Sequence, residues 1–257
     1  MTGTRRIAIG QIAMRWTTRE NVTAICRAMI LARSRGAQIC CFSELAITGF
    51  HRQIAREAKP EVVDAALREV HALSASLRMG VAFGAPTFDA VGARYISHLL
   101  VDEGGTTVAV VNKHGLTHPE ATFFSRGLSR PVGMLHGLRC SAVICREVQD
   151  LDAVAAALPP GAADLIFVPG ALRQDPDKAK ADPPDYVRDI QRLAAATRTF
   201  VVQTNWPNAL NRPEESVDGG GSTVASPDGE LLFRLPAQAS GLGIFNLGER
   251  QFEWLPE

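Results

Sequence analysis

The chain has 257 residues, 46% of them hydrophobic and 21% charged, which suits a globular protein able to bury a sizeable core. Basic and acidic residues balance at 27 each, so charge gives no case for binding nucleic acid or an anionic membrane. No apolar stretch approaches the ~18 residues that span a bilayer, Gln11 and Arg15 interrupt any signal peptide, and five cysteines without such a signal favour a reduced, cytoplasmic protein.

Short apolar runs and amphipathic stretches alternate through the first half of the chain. The apolar runs predict five strands, at residues 5–13, 37–42, 80–88, 93–102 and 106–112. The amphipathic stretches predict two helices, at residues 18–36 and 60–79, and Pro60 suits the first turn of the second helix.

The second half of the chain repeats this alternation. Six further strands are predicted, at residues 138–145, 163–169, 199–205, 221–227, 230–235 and 241–247. Helices are predicted at residues 151–158, with Asp150 as the N-cap, and at residues 185–198. No repeat or linker divides the chain, so we expect one α/β domain over residues 1–257, with layered sheets covered by helices.

Cys145 stands where the predicted strand 138–145 gives way to charged residues. A free cysteine usually packs as a small hydrophobic side chain, and that interpretation stays open. The position also suits a nucleophile, because backbone N–H groups at the following turn or helix can hold an oxyanion and lower a thiol pKa. All six histidines precede Cys145, so a papain-like order is excluded and the base can instead be a carboxylate.

Glu44 directly follows the buried run of residues 39–42. A glutamate at the end of a buried strand is costly unless it is paired or protonated, and burial would raise its pKa toward that of a general base. The alternative is an ordinary glutamate in a solvated loop.

Lys113 ends the strand at residues 106–112, and Glu120 lies seven residues later. An ammonium group at that boundary could stabilise an oxyanion. His114 and His118 are four residues apart and form a weak candidate zinc pair, but Gly115 and Pro119 argue against a helix there and the sequence contains no HExxH pattern.

Glu44, Lys113 and Cys145 therefore each follow an apolar strand, in that order along the chain. Strands of layered sheets can bring such residues to one edge, where α/β proteins usually form their sites.

These motifs resemble those of the nitrilase superfamily of carbon–nitrogen hydrolases over nearly the whole chain. SELAITGF resembles the family's glutamate motif, NKHGLTHPEATFFSRG its lysine motif and SAVICRE its nucleophile motif. Further landmarks match at Gln11 at the end of the first strand, at Phe124 and Gly127 in the lysine motif, and at Asn205 in FVVQTN.

The resemblance implies a four-layer α-β-β-α sandwich and, commonly, a homodimer packed through helices near the site. It implies that Cys145 is the nucleophile and Glu44 its base, and that Lys113 and the backbone N–H of Arg146 hold the oxyanion. Glu120 would orient Lys113 or the substrate. The expected reaction is hydrolysis of a small non-peptide amide through a thioester, releasing ammonia or an amine, with no metal or organic cofactor required.

Several positions depart from the family pattern. Arg146 replaces an aromatic residue, Glu147 keeps the acid, and VQDLD lacks the usual Pro-Glu. Ala196 and Thr197 replace a Glu-Asn pair, and the family pattern implies a shortened C-terminal extension. The Arg146 side chain either favours a substrate carrying a carboxylate or lies on the surface. Nitrile hydrolysis, acyl transfer and a non-catalytic binding protein of the same fold are the rival functions.

Overall fold

The computed structural model describes residues 5–172, 184–214 and 219–257, and these residues form two β-sheets. The first sheet contains β1 (Arg6–Gln11), β2 (Ile39–Phe42), β3 (Gly80–Phe88), β4 (Arg94–Val101), β5 (Thr107–Asn112), β12 (Gly241–Asn246) and β13 (Phe252–Pro256). Its strand order is β13-β12-β1-β2-β3-β4-β5. Strands β1, β2 and β3 are parallel to one another, and the remaining neighbours pair antiparallel.

The second sheet contains β6 (Gly133–Leu135), β7 (Leu138–Ala142), β8 (Leu165–Gly170), β9 (Phe200–Asn205), β10 (Thr223–Ala225) and β11 (Leu231–Arg234). Its strand order is β11-β10-β9-β8-β7-β6, with β7, β8 and β9 parallel. Parallel neighbours place their carboxyl ends at one edge of the sheet.

The helices are α1 (Thr18–Ser34), α2 (Ile54–Glu57), α3 (Pro60–Leu77), α4 (His118–Ala121), α5 (Leu151–Ala157) and α6 (Asp185–Thr197), with a 3₁₀ helix at Cys145–Gln149. Helix α1 begins after Thr17, whose hydroxyl accepts a hydrogen bond from the N–H of Glu20. Helix α3 begins at Pro60, where a missing N–H costs nothing.

Three apolar layers hold these elements together. Fully buried side chains of both sheets, such as Ile7, Val111 and Phe167, meet in the core between the sheets. Helices α1 and α3 cover the outer face of the first sheet, and α5 and α6 cover the outer face of the second sheet. Each buried side chain of this size contributes roughly 1.5–3 kcal/mol. The predicted α-β-β-α sandwich is therefore confirmed.

Several local predictions were wrong. Strand β7 ends at Ala142, and Cys145 begins the 3₁₀ helix instead of ending the strand. Asp150 is the N-cap of α5, as predicted, although its side chain makes no capping hydrogen bond. Short elements α2, α4, β6 and β13 were not predicted.

None of the helices in the described part of the chain is both long and apolar enough to cross a bilayer.

Candidate active site

The fold brings Glu44, Lys113 and Cys145 to one end of the sandwich. Glu44 follows β2 and Lys113 follows β5, and both strands belong to the first sheet. Cys145 follows β7 of the facing sheet. Because β2 and β5 run in the same direction, their carboxyl ends lie on the same side, and β7 supplies the third group from across the core.

The Lys113 ammonium joins two carboxylates. Its Nζ lies 2.7 Å from Glu44 Oε1 and 2.7 Å from Glu120 Oε1, and all three side chains are buried. The Lys113 backbone is fixed on both sides, since its N–H donates to Ile96 and its carbonyl accepts from Gly127. An ion pair without solvent must be held by such fixed partners, because removing one leaves an uncompensated buried charge.

A single turn of helix positions Glu120. The Thr117 hydroxyl accepts from the Glu120 N–H at 3.4 Å, and Glu120 Oε2 accepts from the Thr117 N–H at 2.7 Å. This reciprocal pair is a capping box, which starts α4 and leaves Glu120 Oε1 for Lys113. Because α4 begins only at His118, the prediction that no helix joins His114 and His118 is confirmed. Pro119 lies in the first turn of α4, where proline loses no helical hydrogen bond.

The Glu44 carboxylate and the Cys145 thiol lie close enough for each to shift the pKa of the other. Glu44 Oε2 is buried without a hydrogen-bond partner of standard geometry in the described part of the chain. Burial raises the pKa of Glu44 above its ordinary value of 4.5, and the charge of Glu120 adds to that rise. Lys113 and a hydrogen bond from the Cys145 thiol oppose the rise without cancelling it.

The thiol is protonated at neutral pH. Cys145 is partly exposed as a residue, but its sulfur is surrounded by protein, and burial raises its pKa to about 12. The Glu44 carboxylate adds to this rise, while Lys113 opposes it. Burial lowers the pKa of Lys113, but attraction from the Glu44 and Glu120 carboxylates outweighs burial and raises it, so the lysine stays charged.

The backbone around Cys145 is strained and closely packed. Its φ of 55° lies in the left-handed region, which costs a non-glycine residue of order 1 kcal/mol, and such strain is enriched at functional sites. A Cβ on Gly170 would lie 3.3 Å from the Cys145 Cα, which is tighter than an ordinary van der Waals contact, so glycine favours the close approach of β8 to Cys145.

The Glu44 segment is held against two further elements. The Trp206 indole donates to the Glu44 carbonyl at 2.9 Å, and Ile47 donates to the Gly84 carbonyl at 3.0 Å. Leu45, directly after Glu44, also has a positive φ of 50°. These contacts fix where the Glu44 side chain leaves the backbone.

The Arg146 guanidinium lies toward the loop that follows Lys113. Arg146 Nη1 is 3.5 Å from the Gly115 carbonyl and 3.8 Å from Asp150 Oδ2. That the Arg146 N–H holds an oxyanion stays a prediction.

Two of the family landmarks brace the surroundings of the site. Asn205 donates to the carbonyls of Leu172 and Gly220, and the Gln11 side chain accepts from the backbone and hydroxyl of Ser222.

The candidate zinc pair does not gather into a metal site. His114 contacts the Ser129 carbonyl at 3.1 Å, whereas His118 begins α4. Over residues 5–172, 184–214 and 219–257, no cluster of three or more His, Cys, Asp or Glu side chains could hold a metal ion.

Sequence reasoning assigned no role to Glu147 beyond matching an acid of the family motif. Its buried carboxylate pairs with Arg130 at 2.8 Å and also accepts backbone hydrogen bonds. The contact of Trp206 with Glu44 was also missed. No local pattern pointed to either contact. For Glu120, in contrast, the Thr-x-x-Glu pattern of Thr117 and Glu120 was a usable signal, because it predicts a capping box.

The chain matches a known protein family and is similar to solved amidase structures. The carbon–nitrogen hydrolase family model matches residues 6–249. An amidase from Nesterenkonia sp. is 26% identical, with a TM-score of 0.81, over 96% of this chain and 92% of that chain. A variant of that amidase, with the acetamide moiety of fluoroacetamide added covalently at the active-site cysteine, is 27% identical with the same TM-score and coverage. Another variant, in complex with butyramide, is 26% identical, with a TM-score of 0.81, over 95% and 90% of the two chains. Comparison with curated proteins gave no significant match.

Proposed function

The chain belongs to the carbon–nitrogen hydrolase family, and from that premise we propose that it hydrolyses small non-peptide amides through a thioester on Cys145. One observation carries the proposal: a buried ammonium group on Lys113 bridges the Glu44 and Glu120 carboxylates beside a thiol. Such a cluster costs folding free energy and is expected where it serves chemistry.

In the proposed first half-reaction, Glu44 takes the thiol proton as the sulfur attacks the amide carbon. Lys113 and the Arg146 N–H stabilise the oxygen that becomes negative. Glu44 then delivers the proton to the departing nitrogen, and ammonia or an amine leaves a thioester on Cys145.

In the second half-reaction, water attacks the thioester and Glu44 again acts as the base. The carboxylic acid leaves and the thiol is restored. Glu120 keeps Lys113 in place, since its two oxygens are committed to Lys113 and to the Thr117 N–H. This sequence of steps calls for no metal or organic cofactor.

The side chains around Cys145 support a short, uncharged acyl group. An apolar cluster of Leu45, Ile96, Phe124 and Ile144 includes Cys145 at its border. Partly buried apolar residues join this cluster: Phe50, Ile54, Leu116 and Phe123. The Arg146 guanidinium already contacts Gly115 and Asp150, which argues against its pairing with a substrate carboxylate. The butyramide held by the Nesterenkonia amidase is a ligand of this kind.

The direct test is ammonia release from acetamide, propionamide and butyramide, together with mass spectrometry after treatment with fluoroacetamide. We expect turnover and a covalent adduct on Cys145, and we expect both to vanish in Cys145→Ala. Cys26→Ala is the matched control, because Cys26 is the other cysteine that is not fully buried. Normal hydrolysis by Cys145→Ala would overturn the proposal.

The rival functions give different outcomes in the same assay. Acyl hydroxamate formed in the presence of hydroxylamine would indicate acyl transfer, and ammonia from nitriles but not from amides would indicate a nitrilase. Amide binding without any turnover or adduct would indicate a binding protein.

The homodimer and the cytoplasmic location remain part of this proposal. Sedimentation velocity of the purified protein tests the dimer, and a single species at the monomer mass of 27.7 kDa would contradict it.

A further inference from the structure

Glu147 is a buried carboxylate, two residues after Cys145, whose oxygens accept four hydrogen bonds. Oε1 accepts from the backbone N–H groups of His114 and Gly115, the latter at 2.9 Å. Oε2 accepts from the backbone N–H of Ile144 at 2.7 Å and from Arg130 Nη1 at 2.8 Å. A carboxylate so fully engaged has no oxygen left for substrate.

These hydrogen bonds join the two loops that carry the proposed catalytic groups. His114 directly follows Lys113, and Ile144 directly precedes Cys145. Lys113 leaves the first sheet and Cys145 leaves the second sheet, so no strand pairing fixes their separation. The planar Glu147 carboxylate does fix this separation, because Oε1 binds the loop after Lys113 and Oε2 binds the segment before Cys145.

Arg130 neutralises the charge of the buried Glu147 carboxylate. Its side chain is buried, and Nη1 also donates to the Ala142 carbonyl at the end of β7 at 3.2 Å. Burial raises the pKa of Glu147, but Arg130 and the backbone donors outweigh burial and lower it overall, so the group stays ionised. Its charge is therefore neutralised separately from the Glu44, Lys113 and Glu120 cluster.

We propose that Glu147, neutralised by Arg130, is a positioning residue that sets the distance between the Lys113 ammonium and the Cys145 sulfur. The inference rests on the proposed function, because it matters only if Lys113 stabilises the oxyanion formed at Cys145. It adds a residue that acts through the backbone and never contacts the substrate.

Glu147→Gln is the test substitution. Glutamine has one acceptor oxygen, so its NH₂ group must face N–H donors on one of the two loops. A shift of about 1 Å at a reacting centre can cost on the order of 100-fold, so we expect kcat to fall 10- to 100-fold with KM nearly unchanged. Asp164→Asn is the matched control, since Asp164 forms an exposed ion pair with Arg139 away from the site.

A double-mutant cycle with Lys113→Met separates positioning from general stability. If Glu147 acts by placing Lys113, the effect of Glu147→Gln should almost disappear in the Lys113→Met background. We expect a rate change of less than about twofold there, which is within the scatter of such measurements. The rate of Cys145 alkylation by fluoroacetamide serves as a second readout, because it needs no turnover. Equal losses in the two backgrounds would overturn the inference.

Thermal melts of every variant show whether it is folded. If Glu147→Gln does not fold, Arg130→Lys takes its place in the cycle, since lysine keeps the charge but lacks the planar guanidinium whose Nη1 reaches both Glu147 and Ala142. Hydrolysis retained by Cys145→Ala would refute the proposed function itself, whereas additivity in the cycle would refute only the role of Glu147.

Discussion

At the scale of single residues, the proposed mechanism pairs Glu44 as the base with Cys145 as the nucleophile. Burial raises the thiol pKa to about 12, and it raises the pKa of the Glu44 carboxyl as well. The thiol therefore keeps its proton at neutral pH until a base removes it. The charged Lys113 nearby favours the thiolate as it forms.

Activity should consequently depend on the ionisation of Glu44. The carboxylate is the active form, so kcat/KM is expected to fall as the pH falls through the raised pKa of Glu44, above 4.5. Rates measured from pH 4 to pH 9 on a confirmed amide check this. Glu44→Gln should lose at least ~10²-fold. A rate that stays constant down to pH 4.5 would contradict the assignment of Glu44 as the base.

At the scale of elements, local pattern predicted the regular strands and failed where the site imposes its own geometry. Strand β3 was predicted with its observed bounds, Gly80–Phe88, because its apolar run ends at clear breakers. Strand β7 was extended to Cys145 because Val143 and Ile144 are apolar, whereas the left-handed backbone of Cys145 starts a turn. Apolar pattern reports burial and cannot report a strained φ.

The contact between β3 and the loop after β2 gives a second prediction. A Cβ on Gly84 would lie 2.7 Å from the Ser43 carbonyl oxygen and 2.8 Å from the Glu44 carbonyl carbon, and it would collide with the Leu45 nitrogen. Backbone atoms cannot rotate away, so Gly84→Ala should cost about 1–3 kcal/mol or more of unfolding free energy. It should also displace Glu44 and lower kcat.

Urea unfolding and amide hydrolysis measure both effects. The control is Gly104→Ala in the exposed turn between β4 and β5, where the nearest contact is the Asp102 side chain. If the two alanine variants matched in stability, close packing at Gly84 would not explain the choice of glycine.

At the scale of the whole molecule, alternating segments predicted the fold class, but the site depends on contacts between distant segments. Strand β1 pairs with β12 from the opposite end of the chain, placing Ile7 opposite Phe245. The hydrogen bonds from His114 and Gly115 to Glu147 and from Trp206 to Glu44 likewise join segments that are far apart in the chain. The order of Glu44, Lys113 and Cys145 along the chain and their positions after strands were enough to select them as candidates. The distances between their side chains could be known only from the packed structure. That residues 1–257 form one domain stays a prediction.

The core between the sheets contains His98, which lowers the stability of the fold at acidic pH. His98 is fully buried beside Phe167, with ring centroids 6.0 Å apart, and neither ring nitrogen has a hydrogen-bond partner among the described residues. Burial lowers its pKa from 6.5 to about 3. Between these values the unfolded chain binds a proton that the folded chain does not, so stability falls as the pH falls below 6.5.

His98→Leu should remove this dependence. The parent is expected to lose ~1.4 kcal/mol of unfolding free energy per pH unit through this group, and the variant should lose correspondingly less. Urea unfolding at pH 7.5 and pH 5.5 measures the difference, with the exposed His118→Leu as the control. Equal slopes for parent and His98→Leu would refute the assignment.

The protonated state of the Cys145 thiol also bears on survival under oxidative stress. Peroxide attacks thiolates and spares thiols, so cysteine enzymes that keep a standing thiolate are readily converted to sulfenic and then irreversible sulfinic acids. Here the thiol pKa is about 12, and in the proposed mechanism the thiolate forms only as the sulfur attacks the amide carbon. We therefore expect Cys145 to resist oxidation by peroxide between turnovers.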